Sequence, residues 1–148
     1  MSKIRHRVGI SAPIEVVYDA LASTDGVKSW WTSDARNAAD GSKKIEIFFG
    51  QPEPRLVMKV LATKENRLVK WRIEHGPKEW MKTTITFELT RDDDETVILF
   101  THDGWKFPGA FMHHCSTKWG YFMLGLKNQL EGGSSVAFPN DLKISHWG

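Results

Sequence analysis

Three places in the sequence hold side chains able to do chemistry. Residues 112–133 read MHHCSTKWGYFMLGLKNQLEGG and set His113 and His114 beside Cys115, the only cysteine of the chain. Two imidazoles and a thiol could furnish a metal nest or an activated nucleophile. His102 ends an apolar run beside Asp103, and His75 ends another. A histidine next to a carboxylate is a common general base near neutral pH. Residues 91–95, RDDDE, gather four acidic or basic neighbours of Asp93 in one short turn.

Spacing decides among these readings. Consecutive residues of a helix do not face one another, so His113, His114 and Cys115 cannot close on one metal if the stretch is helical. Helical metal pairs need i, i+3 or i, i+4 spacing, as in HExxH. Cys115 is then by default a small packed hydrophobe. It becomes a reactive, pocket-lining thiol only if its pKa is lowered, which a helix start favours. A histidine at a strand end is more often a satisfied structural group than a base. The RDDDE stretch is most simply a wet hairpin. No GxSxG, HExxH, CxxC or glycine-rich phosphate loop is present. No metal and no cofactor are therefore expected. His102, His75 and Cys115 are the weak candidates for catalysis, and the missing motif favours a non-catalytic reading without settling it.

The elements that would position these groups follow from periodicity. Residues 3–10 alternate, with Ile4, His6, Val8 and Ile10 on one face and Lys3, Arg5 and Arg7 on the other, which predicts a half-wet strand. Ser11 as N-cap, Pro13 in the first turn and Ile14, Val17 and Leu21 at helical spacing predict a helix over 12–23. Residues 25–32, DGVKSWWT, read as a second short helix capped by Asp25 or Thr24, with 33–43 a loop. Strands are expected over 43–50, 56–63, 67–75, 78–90 and 96–102. Their inward rows are Ile45, Ile47 and Phe49; Met58, Val60 and Ala62; Val69, Trp71, Ile73 and His75; and Met81, Thr83, Ile85, Phe87 and Leu89. The facing of 96–102, which holds Phe100, is ambiguous. Short turns between sequential strands imply an antiparallel meander.

The stretch that holds HHC then reads as one long helix. At ~100° per residue, Met112, Cys115, Phe122, Met123, Leu126 and Leu130 fall within ~60° of Trp119. That is one broad apolar stripe, with His113 and His114 on opposite flanks. A strand, two short helices, a run of strands and a long helix make an α+β layout. A curled sheet holding that helix encloses a concave interior. Its lining set is Trp30, Trp31, Phe49, Met58, Trp71, Ile73, Met81, Ile85, Phe87, Phe100, Cys115, Trp119, Phe122 and Met123. Trp30 and Trp31 read as core plugs first; the alternative puts one ring in the core and the other at the pocket entrance.

Bulk numbers bound the partners. The 148 residues suit one domain, read as 1–133 with a tail over 134–148 that covers the cavity mouth or a neighbour. Twenty basic against 18 acidic side chains give +2, so no general drive toward nucleic acid exists. No apolar run reaches the ~20 residues of a membrane helix. A single cysteine and a charged, alternating N-terminus predict a cytoplasmic protein. A homodimer is left open. Seven Trp and eight Phe beside two Tyr call for large buried surfaces.

The stretches SAPIEVVYDALAS (11–23), VKSWWT (27–32), THDGW (101–105) and WGYFMLGLKNQLEGG (119–133) resemble the START-like, helix-grip (SRPBCC) superfamily. Within it the chain is most similar to the group of homologues of the activator of heat-shock-protein-90 ATPase, with polyketide cyclase/dehydratase-like relatives. The resemblance implies a curved antiparallel sheet wrapped around a long C-terminal helix, with two short helices after the first strand. It implies a small hydrophobic or amphipathic ligand, lipids among them, held between sheet and helix. Some relatives cyclise or dehydrate polyketides, so a cyclase, dehydratase or hydrolase is the alternative. A stress-related interaction module presenting Trp30, Trp105 and Trp147 is the third reading. The co-chaperone proper carries a further N-terminal domain that engages its partner; the sequence read here starts at the first strand, which gives a chaperone role less weight.

Overall fold

The computed structural model describes residues 1–134 and 136–148. The chain runs β1 (Ser2–Ile10), α1 (Ile14–Ala22), α2 (Thr24–Lys28), β2 (Ala35–Asn37), β3 (Lys44–Ile47), β4 (Leu56–Lys64), β5 (Leu68–His75), β6 (Thr84–Asp92), β7 (Glu95–Trp105) and α3 (Ala110–Leu130). All neighbouring strands pair antiparallel in the order β1-β7-β6-β5-β4-β3-β2. The curved sheet grips α3: the α+β layout is the one the pattern of elements predicts, and the helix-grip form is the one the family resemblance implies. Among the described residues no helix is long and apolar enough to cross a membrane.

Most elements form where periodicity places them, and the departures have local causes. Helix α1 begins after Pro13, and the Ser11 hydroxyl makes no cap. The Ser11 backbone N–H instead donates to Glu131 Oε2 at 2.7 Å, tying the start of α1 to the end of α3. The α2 cap is Ser23, whose hydroxyl accepts from Gly26 N–H, rather than Asp25 or Thr24. Gly26 is required there: a Cβ would lie 2.3 Å from the Asp19 carbonyl oxygen of α1. Helix α2 ends at Lys28, so Trp30 and Trp31 follow it in a turn. Within the expected 33–43 loop, Ala35–Asn37 adds a short edge strand on β3.

Three predicted inward positions are wrong. Val60 pairs with Trp71 while Ala62 pairs with Lys70, so Leu61 is an extra residue that bulges β4 and turns Ala62 to the outer face. His75 is exposed. Val57 pairs with His75 while Met58 pairs with Ile73, so Glu74 is an extra residue that bulges β5. A one-residue bulge flips the faces beyond it. Met81 is 38% exposed. Gly76–Pro77 breaks the chain, a 3-10 turn occupies Lys78–Trp80, and Lys82 takes a φ of 64° before β6 starts. The alternation from Thr83 onward is as expected, with Thr83, Ile85, Phe87 and Leu89 buried.

Strand β7 resolves its ambiguity. Ile98, Phe100 and His102 alternate onto the inner face and are buried, while Leu99 between them is 42% exposed; Val97 and Trp105 are buried as well. The RDDDE stretch closes the β6–β7 hairpin with Asp93 at φ 53° and all five side chains at or near the surface.

Candidate functional site

Rings fill the space between sheet and helix. Trp31 stacks on Trp30 (5.8 Å, 12°) and on Trp71 (6.1 Å, 14°). Both Trp30 and Trp31 are buried; outside the helix the two rings stack instead of pointing apart, and Trp31 alone of the pair borders the opening. Trp30 Nε1–H donates to the Ala20 carbonyl at 2.8 Å. Phe87 sets its edge to Trp71 at 5.1 Å and to Phe100 at 5.4 Å. Trp119 of α3 meets Trp31 at 5.0 Å and Phe100 at 4.7 Å. Such offset and edge-on pairs add stability beyond area burial. Trp30, Met58, Trp71, Ile73, Ile85, Phe87, Phe100 and Met123 are all within 1% of fully buried, and none of them lines the cleft at one end of the interior. The predicted wide cavity is here a packed core.

An opening survives at one end. A cleft of about 300 Å³ lies between the N-terminal half of α3, the segments around Phe49 and Trp80, and the chain after α3. Of the residues singled out from sequence, Trp31, Phe49, Cys115, Trp119 and Phe122 line it. Trp80, Phe111 and Phe138 supply further rings, with Trp147 at the rim. Reading Lys78–Trp80 as strand put Trp80 on the wrong face; the Gly76–Pro77 break was the signal for a turn.

The tail builds the outer wall. After α3 it returns to the sheet side, where Phe138 N–H donates to Trp31 O (2.9 Å) and Ser33 N–H to Phe138 O (3.0 Å). The Phe138 ring meets Phe49 edge-on at 5.3 Å. Lys118 of α3 holds the rest: Nζ donates to Asp141 Oδ2 (2.7 Å) and to the carbonyls of Leu142 (2.6 Å) and Gly148 (3.0 Å). Leu142 N–H donates to the Tyr121 hydroxyl at 2.9 Å. The Trp147 ring packs edge-on against His114 and Phe111.

The titratable groups are held in inert states. His102 is fully buried. Its Nδ1 accepts from Trp119 Nε1–H at 3.2 Å, so the proton sits on Nε2 and is donated to Thr83 Oγ1 at 2.8 Å. The Thr83 hydroxyl in turn donates to Trp80 O at 2.6 Å. Burial pushes the His102 pKa down to about 3. Asp103 does not face it; that carboxylate accepts from Gly104 N–H. His102 thus organises the core, away from the cleft lining. Burial pushes the Cys115 thiol up to about 12, although Trp80 Nε1–H donates to its sulfur at 3.4 Å. His113 is exposed and His114 half-buried, on different sides of Cys115. Among the described residues no three His, Cys, Asp or Glu side chains gather as a metal site needs. Trp30 and Trp105 are buried, so the patch expected with Trp147 does not exist; Trp147 alone is half-exposed.

Comparison with known proteins places the chain. The solution structure of the Aha1 dimer from Colwellia psychrerythraea is 38% identical, with a TM-score of 0.78, covering 90% of this chain and 98% of that one. CalU16 from Micromonospora echinospora shares the fold at 14% identity and a TM-score of 0.70, covering 93% of this chain and 69% of its own. DynU16, from the dynemicin biosynthetic locus, does so at 17% identity and 0.74, covering 93% and 50%. No curated protein matches the chain. The model of one family matches residues 11–131, from the turn before α1 to the end of α3. The chain belongs to the Activator of Hsp90 ATPase homolog 1-like protein family.

Proposed function

We propose that this domain binds one small apolar or amphipathic molecule in the cleft between α3, the Trp80 turn and the tail. One observation carries the reading: an aromatic-walled opening of about 300 Å³ remains in an otherwise filled interior. That volume is at the small end of the ~300–1,000 Å³ usual for ligand pockets. Apolar burial at ~25 cal/mol per Å² would drive binding. The family and its fold relatives fit a ligand-binding or cyclase-like role. No group at the cleft favours catalysis: His102 lies outside the lining with both ring nitrogens occupied, and Cys115 holds its proton. A homodimer is proposed on the strength of the dimeric Colwellia relative.

The binding reading is tested on purified protein by native mass spectrometry and by amide and indole NMR. Co-purifying or added apolar molecules should shift the resonances of Phe49, Phe138 and Trp147. No adduct mass, together with shifts scattered elsewhere or absent, would sink it.

A further inference from the structure

The charges around the cleft do not follow from its aromatic walls. Asp141 is the single side-chain carboxylate among the lining residues, and its side chain is 4% exposed. Lys118 donates to its Oδ2 at 2.7 Å and Lys143 to its Oδ1 at 2.9 Å. Burial acts to raise its pKa, but the hydrogen bonds from the two ammonium groups outweigh it and hold it below the ordinary carboxylate value. One negative charge is thus shared by two cations. Lys118 spends its remaining donors on the carbonyls of Leu142 and Gly148. Lys143 keeps its outer side free, 54% exposed and poised 4.9 Å over the Phe138 ring.

Arg55 adds a second uncompensated charge. It precedes β4, lines the same cleft and is exposed. Among the described residues its guanidinium has no hydrogen bond or ion pair. His114, also at the cleft, has its pKa lowered by burial and by Lys118 and His146. Among the lining side chains Lys118, Lys143 and Arg55 stand against Asp141, an excess of cations over a floor of tryptophan rings. A cationic ligand would meet repulsion there, and a neutral one would leave Arg55 without a partner. An unpaired guanidinium beside an apolar cleft is suited to a planar, two-oxygen anion.

We infer that the cleft takes an amphipathic anion, with an apolar body against Trp31, Trp80 and Trp119 and a carboxylate- or sulfonate-type head at Arg55 and Lys143. This rests on the cleft-binding reading and names the ligand class for it.

Two dyes with one ring system separate the claims. 8-Anilinonaphthalene-1-sulfonate carries a sulfonate, and N-phenyl-1-naphthylamine lacks it. Fluorescence titration should show both binding, the sulfonate about tenfold tighter, as a charge-assisted head contact implies. Arg55→Gln, which removes no internal partner, should erase most of that advantage and leave the neutral dye unchanged. Arg55→Gln with Lys143→Gln should erase the rest, and roughly 0.5 M salt should shrink it in the native protein. Equal affinity for the two dyes, or an advantage that survives the double substitution, overturns the anion proposal with cleft binding intact. Binding of neither dye overturns the cleft reading and this inference with it.

Discussion

His102 is the residue whose chemistry the tertiary structure changes most. With Nδ1 accepting from Trp119 and Nε2 donating to Thr83, the neutral ring is satisfied, and adding a proton would break the Trp119 bond. Its pKa falls from the ordinary 6.5 to about 3 in the folded chain. Between those values the unfolded chain binds a proton that the folded chain refuses. Stability therefore declines as pH drops from about 6.5 toward 3, by up to ~1.4 kcal/mol per pH unit from this one group, on the order of 5 kcal/mol in all. Urea unfolding at stepped pH should show that slope. His102→Asn should lose about 1–3 kcal/mol at pH 7 and lack the His102 part of the acid slope; an unchanged slope would show that other groups set it. The sequence showed a histidine at a strand end beside Asp103. It could not show the depth, because that depends on β7 lying between β1 and β6 and on α3 crossing above it. Cys115 was legible earlier: helical spacing alone put it on the apolar stripe, and there it packs beneath Trp80.

At the scale of elements, α3 was readable and its neighbours less so. Cys115, Trp119, Phe122, Met123 and Leu126 form the buried face, as the 100° arithmetic predicts. The turn residues Trp30 and Trp31 were misassigned because α2 stops a turn early, where the Ser29 hydroxyl bonds back to Gly26 O at 2.6 Å. The tail depends on α3 through Lys118, whose side chain is 15% exposed. Lys118→Met removes three hydrogen bonds and leaves Asp141 with Lys143 alone. We expect a loss of about 1–3 kcal/mol. We also expect faster amide exchange at Leu142, whose N–H donates to Tyr121 of α3, and at Ile144 and Gly148, whose N–H groups bond within the tail. Amides of β5, β6 and β7 should keep their protection. Equal exchange in variant and native protein would mean that the apolar contacts of Phe138 and Trp147 hold the tail by themselves.

For the whole molecule, the proposed homodimer has a direct readout. Light scattering at micromolar concentration should give the mass of two chains; a single-chain mass across that range ends the proposal. The α+β class, the meander of strands, the one long helix and its inner face were all determined by the sequence itself. They follow from local periods of two and 3.6 residues and from short turns, which need no knowledge of distant neighbours. The tertiary structure alone decided which inward side chains meet a void. Trp71 and Phe87 carry the same inward alternation as Phe49, yet the first two fill the interior and the last borders the opening. Whether a ring fills space or lines it depends on the volume enclosed by a curved sheet, a helix and a returning tail together. Bulges at Glu74 and the turn at Lys78–Trp80 then choose the face, and no local pattern encodes that sum.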